Sequence, residues 1–209
     1  MNYHNITYPD MNNGDGLRVV LWLSGCSHRC FNCQNPQTWD ANSGIPFDES
    51  AKKELFRELD KDYISGLTLT GGDPLFESNL DGVLDLVTEF NKRYNFQKVD
   101  SAIPCKMGVS EVENTDKIRL SLPNKSIWIY SGYTWNQVMN PIVTSDFNTK
   151  RDNIIRKRQE IVKQCTVMVD GRYIDSQRDI SLKWRGSINQ KVIDIKRSIM
   201  QNELVLYCK

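Results

Sequence analysis

The segment Arg18-Val19-Val20-Leu21-Trp22-Leu23-Ser24-Gly25-Cys26-Ser27-His28-Arg29-Cys30-Phe31-Asn32-Cys33 joins an apolar run to a knot of cysteines. Residues 19–23 are apolar at every position, the pattern of a parallel strand covered on both faces. Downstream, Asp48 or Ser50 is placed to cap a helix with Ala51, Leu55 and Leu59 on one stripe. A short strand over 67–70 is broken by Gly71-Gly72-Asp73-Pro74. From 79 to about 94, Leu80, Val83, Leu84, Val87 and Phe90 follow the i, i+3, i+4, i+7 rule of an amphipathic helix. A strand over 126–130 leads into Ser131-Gly132-Tyr133, and a helix over 150–164 carries Ile154, Ile155, Ile161 and Val162. A strand over 166–169 precedes Asp170-Gly171, and the tail has two β-rich pieces, 192–195 and 204–207. Strands alternating with helices predict an α/β fold around a mostly parallel sheet with right-handed crossovers. In such folds the loops after the strands share one face. The cysteine, Gly-Gly-Asp-Pro, Ser-Gly-Tyr and Asp-Gly segments are therefore expected to meet there.

The chain of 209 residues is read as a single domain, 1–209, large enough for a core without disulfides. The pattern weakens over 95–125, which reads as an insertion. Lys and Arg total 27 against 26 for Asp and Glu, so net charge gives no case for a nucleic-acid or membrane-surface partner. No run approaches the roughly 18 apolar residues of a membrane helix. The first residues lack the basic and apolar parts of a secretory signal. These features place the chain in the cytoplasm, where thiols stay reduced. Of the six cysteines, Cys26, Cys30 and Cys33 crowd one loop, while Cys105, Cys165 and Cys208 are scattered. This distribution suits a metal or redox site better than a disulfide framework.

The spacing in the loop is Cys-x3-Cys-x2-Cys. Thiolates are soft ligands suited to iron–sulfur clusters and to zinc, and the loop alone leaves both open. Three cysteines can hold three irons of a four-iron cluster and leave the fourth free to chelate a substrate. His28, inside the motif, is poorly placed to join them on a single tetrahedral ion. At Gly71-Gly72-Asp73-Pro74 the glycines allow close backbone approach to a ligand. Carbonyls there, and Asp73, are expected to accept from an ammonium group, although the same tetrapeptide is an ordinary turn. Ser131-Gly132-Tyr133 reads equally as a ligand-facing loop and as a plain strand-to-helix turn. Trp39 and Trp128 read as core.

The cysteine spacing resembles the signature of the radical S-adenosylmethionine enzymes. The resemblance implies an incomplete, open (β/α) barrel. It also implies one [4Fe–4S] cluster held by Cys26, Cys30 and Cys33, with S-adenosylmethionine chelating the open iron. Reductive cleavage then gives a 5′-deoxyadenosyl radical, with the chemistry carried by the cofactors. By the same resemblance, Gly71, Gly72 and Asp73 bind the methionine amino group, and Ser131, Gly132 and Tyr133 face the ribose and carboxylate. Asn32, Cys33 and Gln34, with Phe31, border the adenine. Asn32 departs from the aromatic residue that many relatives place there.

A narrower likeness, to the activases of anaerobic ribonucleotide reductase, rests on five segments: 13–21, 33–39, 66–75, 128–134 and Lys183-Trp184-Arg185-Gly186-Ser187-Ile188-Asn189-Gln190. It implies as partner the large, glycyl-radical subunit of that reductase, which makes deoxyribonucleotides, and an electron donor such as flavodoxin. An activase of another glycyl radical enzyme, such as pyruvate formate-lyase, and a non-enzymatic zinc module are the alternatives. Trp184 and Arg185 are expected at the cofactor, at the partner surface or in the core. Cys105, Cys165 and Cys208 lack the spacing of a second cluster.

Overall fold

The structure is a computed structural model that describes residues 1–95, 124–141 and 150–208. The region read as an insertion therefore lies almost wholly outside the described residues, as does Cys105. Asn95 and Lys125, which bracket it, are joined by two hydrogen bonds: the Asn95 amide donates to the Lys125 carbonyl, and the Lys125 N–H returns one to Asn95 Oδ1.

Seven strands form one open sheet in the order β3-β1-β2-β4-β5-β6-β7. The strands are β1 (Asn2–Asp10), β2 (Arg18–Leu23), β3 (Ile45–Pro46), β4 (Gly66–Gly71), β5 (Ser126–Tyr130), β6 (Val167–Asp170) and β7 (Lys191–Asp194). The central four, β2-β4-β5-β6, are parallel. The outer pairings β1–β2, β1–β3 and β6–β7 are antiparallel. Helices α1 (Glu49–Leu59), α2 (Leu80–Tyr94) and α4 (Lys150–Gln164) cover one face, and the shorter α3 (Trp135–Met139) and α5 (Ile195–Gln201) complete the set. Among the described residues no helix is long and apolar enough to cross a membrane.

Residue alternation assigns the two sides of the sheet. Val19, Leu21 and Leu23 of β2, with Leu67 and Leu69 of β4, Ile127 and Ile129 of β5 and Met168 of β6, pack under the helices. The helices answer with Ala51, Leu55 and Leu59 of α1, Val83, Val87 and Phe90 of α2, and Ile161 and Val162 of α4. Asp48 caps α1 by accepting from the Ser50 and Ala51 amides, worth about 1 kcal/mol. The opposite, inner side carries Trp128, Val167, Val169 and Val192, with Trp184 packed on them.

Arg18 lies fully buried at the start of β2. Its five N–H donors are all taken, by Thr68 Oγ1, the Asp15, Leu67 and Ser126 carbonyls and Ser126 Oγ. Burial lowers its pKa to about 10, and complete pairing is the condition under which a buried charge is tolerated. The segment 13–21 is thus spent closing the end of the sheet opposite the cysteine loop.

Three details depart from the sequence expectation. Strand β1 was not expected, because its polar run with Pro9 lacks an apolar period; only Tyr3 and Ile6 of it are buried among the apolar core. The parallel arrangement is confined to the middle of the sheet. The 204–207 piece forms a single bridge, Leu206 to Ile193, rather than a strand, and α5 occupies the residues before it.

Candidate functional site

The cysteine loop leaves β2 through Gly25, whose φ of +95° suits glycine. The returning chain closes its base: Gly25 N–H donates to the Thr38 carbonyl at 2.7 Å and Cys26 N–H to the Trp39 carbonyl at 3.0 Å. Inside the loop, Cys33 N–H donates to the Cys30 carbonyl and Asn35 N–H to Cys33 Sγ at 3.4 Å. Arg29 and Asn32 hold φ of +45° and +52°, a left-handed conformation that costs a residue such as arginine about 1–2 kcal/mol and an asparagine less. Such residues persist where their surroundings over-determine them. The thiols of Cys26, Cys30 and Cys33 are free and half-buried. Burial pushes the Cys26 thiol up to about 11, against amide hydrogen bonds from His28 and Arg29 that favour the thiolate.

The turn after β4 lies against this loop. Gly72 N–H donates to the Leu23 carbonyl and Asp73 N–H to the Gly25 carbonyl, at 2.7 and 2.8 Å. A Cβ on Gly72 would sit 2.5 Å from the Gly25 carbonyl oxygen, so the second glycine is required by backbone crossing backbone. Asp73 is 1 % exposed. Its Oδ1 accepts from the Leu75 N–H and the Ser131 hydroxyl, at 2.8 and 2.9 Å. Its Oδ2 accepts from the Gly132 N–H at 3.0 Å and from His28 Nε2 at 2.8 Å. One carboxylate thereby ties together the loops after β2, β4 and β5. The His28 ring stands edge-on to Tyr133, with centroids 4.6 Å apart. Arg158 of α4 lies over the other ring at 4.0 Å, donates to the Tyr133 hydroxyl and also holds the Leu75 carbonyl.

The loop after β6 completes the face. Arg172 donates to the His28 carbonyl, and Asn32 donates to Asp175 at 3.2 Å. Gln190 closes the strap from 172 to 190. Its Oε1 accepts from the Gly186 and Ser187 amides, and its Nε2 donates to the Gly171 carbonyl. Asn189 donates to the Arg172 carbonyl and Arg185 to that of Gln190. Trp184 packs edge-on to Trp128, 4.9 Å away. The Trp-Arg-Gly-Ser-Ile-Asn-Gln segment is therefore a self-bonded strap whose first residue enters the inner core.

All four expected loops meet at the carboxyl ends of the parallel strands. Asp73 was expected to receive an ammonium group, yet both its oxygens are occupied by protein donors. The Ser131 hydroxyl is likewise spent on Asp73 and on the Tyr133 amide, and the Tyr133 hydroxyl on Arg158. Asn32 and Gln34 are exposed, and Gly71 lies beside Gly72 at the strand end. His28, Arg158, Arg172 and Asp175 carry the geometry and were missed. A histidine inside the motif and an arginine just after Asp170-Gly171 were the signals available.

The residues suit an iron–sulfur cluster: Cys26, Cys30 and Cys33 offer three free thiols from one loop, soft donors of the kind such clusters take. Among the described residues, the buried side-chain polar atoms without a partner are Trp39 Nε1 and Asn189 Oδ1. Both belong to residues within one or two hydrogen bonds of the cysteine loop. An orphan of this kind costs about 1–3 kcal/mol.

A family model described as a 4Fe-4S single cluster domain matches residues 12–102 and 110–193. The chain is 32% identical over 194 residues to the anaerobic ribonucleoside-triphosphate reductase-activating protein of Escherichia coli (strain K12), covering 92% of this chain and 97% of that protein. The protein of the same name from Enterobacteria phage T4 is 33% identical, with 92% and 93% covered. That from Vibrio cholerae is 30% identical, with 92% and 97% covered. With most of its length matched by this family model and by these relatives, and with its thiols gathered where the parallel strands end, the chain belongs to the 4Fe–4S single-cluster family and, within it, to the anaerobic ribonucleoside-triphosphate reductase-activating proteins.

Proposed function

We propose that the chain is a radical S-adenosylmethionine enzyme that generates the glycyl radical of anaerobic ribonucleoside-triphosphate reductase, with Cys26, Cys30 and Cys33 holding its [4Fe–4S] cluster. The observation that carries the reading is the cysteine loop itself, fixed to three neighbouring loops at the carboxyl end of the sheet in a chain that matches reductase-activating proteins over 92% of its length. Cys26, Cys30 and Cys33 would hold the cluster, which when bound and reduced would supply the one-electron chemistry that cleaves S-adenosylmethionine and so makes the radical aimed at a glycine of the partner.

The protein's own part is to position and to exclude water. Gly71 and Gly72 bring a side-chain-free backbone edge beside the loop, where carbonyls can accept from the methionine ammonium. Asn32 and Gln34 offer exposed amide groups beside Cys33 for the adenine. Asp73, Ser131, Gly132 and Tyr133 hold these surfaces in place. The sheet is open, with β3 and β7 at its edges, and the cysteine loop stands at its carboxyl end, where a loop of a large protein substrate would have to approach. Cys165 is buried in the helix-side core, and Cys208 packs beside Trp128 and Val192. Neither belongs to the loop, so the electron comes from a separate donor such as a flavodoxin. The cytoplasm, which keeps thiols reduced, is the compartment that suits this chemistry.

The test is anaerobic reconstitution with iron and sulfide, reduction, and addition of S-adenosylmethionine with the reductase. We expect 5′-deoxyadenosine and a glycyl radical signal on the reductase, both lost in Cys30→Ala. Absence of both from fully loaded, reduced protein would overturn the reading. A radical formed on pyruvate formate-lyase alone would move the function to that partner.

A further inference from the structure

We infer that His28 is a positioning residue, one that holds the cysteine loop in its ligating shape before any iron arrives. The inference rests on the cluster assignment made above and concerns a residue that binds no iron. His28 lies between Cys26 and Cys30 and is pinned at two points. Its Nε2 donates to the buried Asp73 carboxylate at 2.8 Å, and its carbonyl receives the Arg172 guanidinium. The acceptor-only carboxylate fixes the tautomer, because Nε2 must carry the proton. The ring is further confined by Tyr133 at 4.6 Å and by Gly132, where a Cβ would lie 2.2 Å from the imidazole.

The residues on either side supply the reason for such a clamp. Arg29 and Asn32 flank Cys30 in the left-handed region. Each costs free energy that a free loop would release by relaxing. Besides the ring contacts of His28, the hydrogen bonds among the described residues that tie side chains or carbonyls of 28–32 to the molecule outside the cysteine loop are those of His28 to Asp73, Arg172 to the His28 carbonyl and Asn32 to Asp175. Asn32 is exposed and its bond to Asp175 is open to water, so the buried His28–Asp73 pair is the firmer restraint. Asp73 also binds the Ser131 hydroxyl and the Gly132 amide. The shape of the cysteine loop is thereby coupled to the two loops that border the S-adenosylmethionine site.

The experiment compares wild type, His28→Ala and His28→Gln, the last keeping an N–H donor at the reach of Nε2. Each is loaded identically with iron and sulfide and assayed well below its melting temperature. We expect His28→Ala to lose iron to a chelator roughly tenfold faster than wild type, as one net hydrogen bond implies. It should also lose the change that S-adenosylmethionine induces in the EPR spectrum of the reduced cluster, and His28→Gln should restore both. In the iron-free wild-type chain, hydrogen exchange should show the Cys26 and Cys33 amides protected, and less so in Asp73→Asn. Wild-type iron retention and EPR response in His28→Ala would overturn the inference. So would unprotected loop amides in the iron-free wild type, which tests the same point if the alanine variant fails to fold. Failure of wild type to take up any cluster would instead sink the functional reading.

Discussion

Replacing Asp73 by Asn leaves the shape of the side chain intact and exchanges one acceptor oxygen for an NH2 donor. If the NH2 takes the place of Oδ1, it faces the Leu75 amide and the Ser131 hydroxyl. The hydroxyl can turn to accept; the amide cannot. If it takes the place of Oδ2, it faces the Gly132 amide and His28. The imidazole can change tautomer; the amide again cannot. Either way one backbone N–H loses its acceptor, at about 1–3 kcal/mol, and the surviving bonds fall from charge-assisted to neutral strength. Together these give about 3–5 kcal/mol, the range for breaking a buried charge pair. In a chain of this size that is a fall in Tm of roughly 6–20 °C. Thermal unfolding of the iron-free protein, followed by circular dichroism, measures it directly. A Tm within about 3 °C of wild type, roughly 1 kcal/mol, would refute the view that this carboxylate bonds the site together.

Gly72→Ala should abolish iron loading, because its Cβ would lie 2.5 Å from the Gly25 carbonyl oxygen at the base of the cysteine loop. Gly171→Ala, whose φ is +90° but whose Cβ would meet nothing closer than 3.8 Å, should cost only about 1–2 kcal/mol and leave loading intact; iron analysis and melting separate the two. In the iron-free chain the Cys26 thiol titrates near 11 rather than 9.0. The folded state therefore holds a proton that the unfolded state loses, and this group's contribution to stability is full below pH 9 and lost as pH rises through 11. At pH 8, iodoacetamide should accordingly modify Cys26 on the order of 100-fold more slowly in the folded than in the urea-unfolded chain; equal rates would contradict the burial that causes the shift. Arg18→Met should destabilise the fold by about 3–5 kcal/mol while leaving the affinity of the loaded protein for S-adenosylmethionine unchanged, since Arg18 lies at the other end of the sheet.

The elements that position the site were legible because their sequence signals are local. β2 and β4 are buried on both faces; β2 reads as an apolar run over 19–23 and β4 as Leu alternating with Thr, a β-favouring pair, and each leads into a glycine turn. α1 and α2 carry regular stripes. β1 was hidden because an antiparallel strand beside a two-residue edge strand needs few apolar side chains, and α3 because five residues are too short for a period to show. The tail Leu204-Val205-Leu206-Tyr207 misled through composition alone: its bonds go to Ser198, Asp194 and Val192 singly, not as a ladder.

At the site, Asp73, Ser131 and Tyr133 were expected to face a ligand, and in the structure their polar atoms bond within the protein. Residue type cannot say whether a carboxylate after a strand turns toward a ligand or back toward its neighbours. Three-dimensional donor supply decides it, and Asp73 meets four donors drawn from positions 28, 75, 131 and 132. The same holds for Ser131 and Tyr133, each consumed by the protein. This consumption follows from the chemistry. Where a cluster and a sulfonium cofactor bring the electron and the leaving group, the chain needs no general acid or base of its own. Its demand is for a loop of three thiols held still beside a bare backbone edge. Polar side chains serve that demand by bonding to one another, as Asp73, Ser131, Tyr133 and Arg158 do. A histidine in the middle of the cysteine motif is then explained as part of the framework that holds the loop, and its substitution should be felt first in iron retention rather than in the fold.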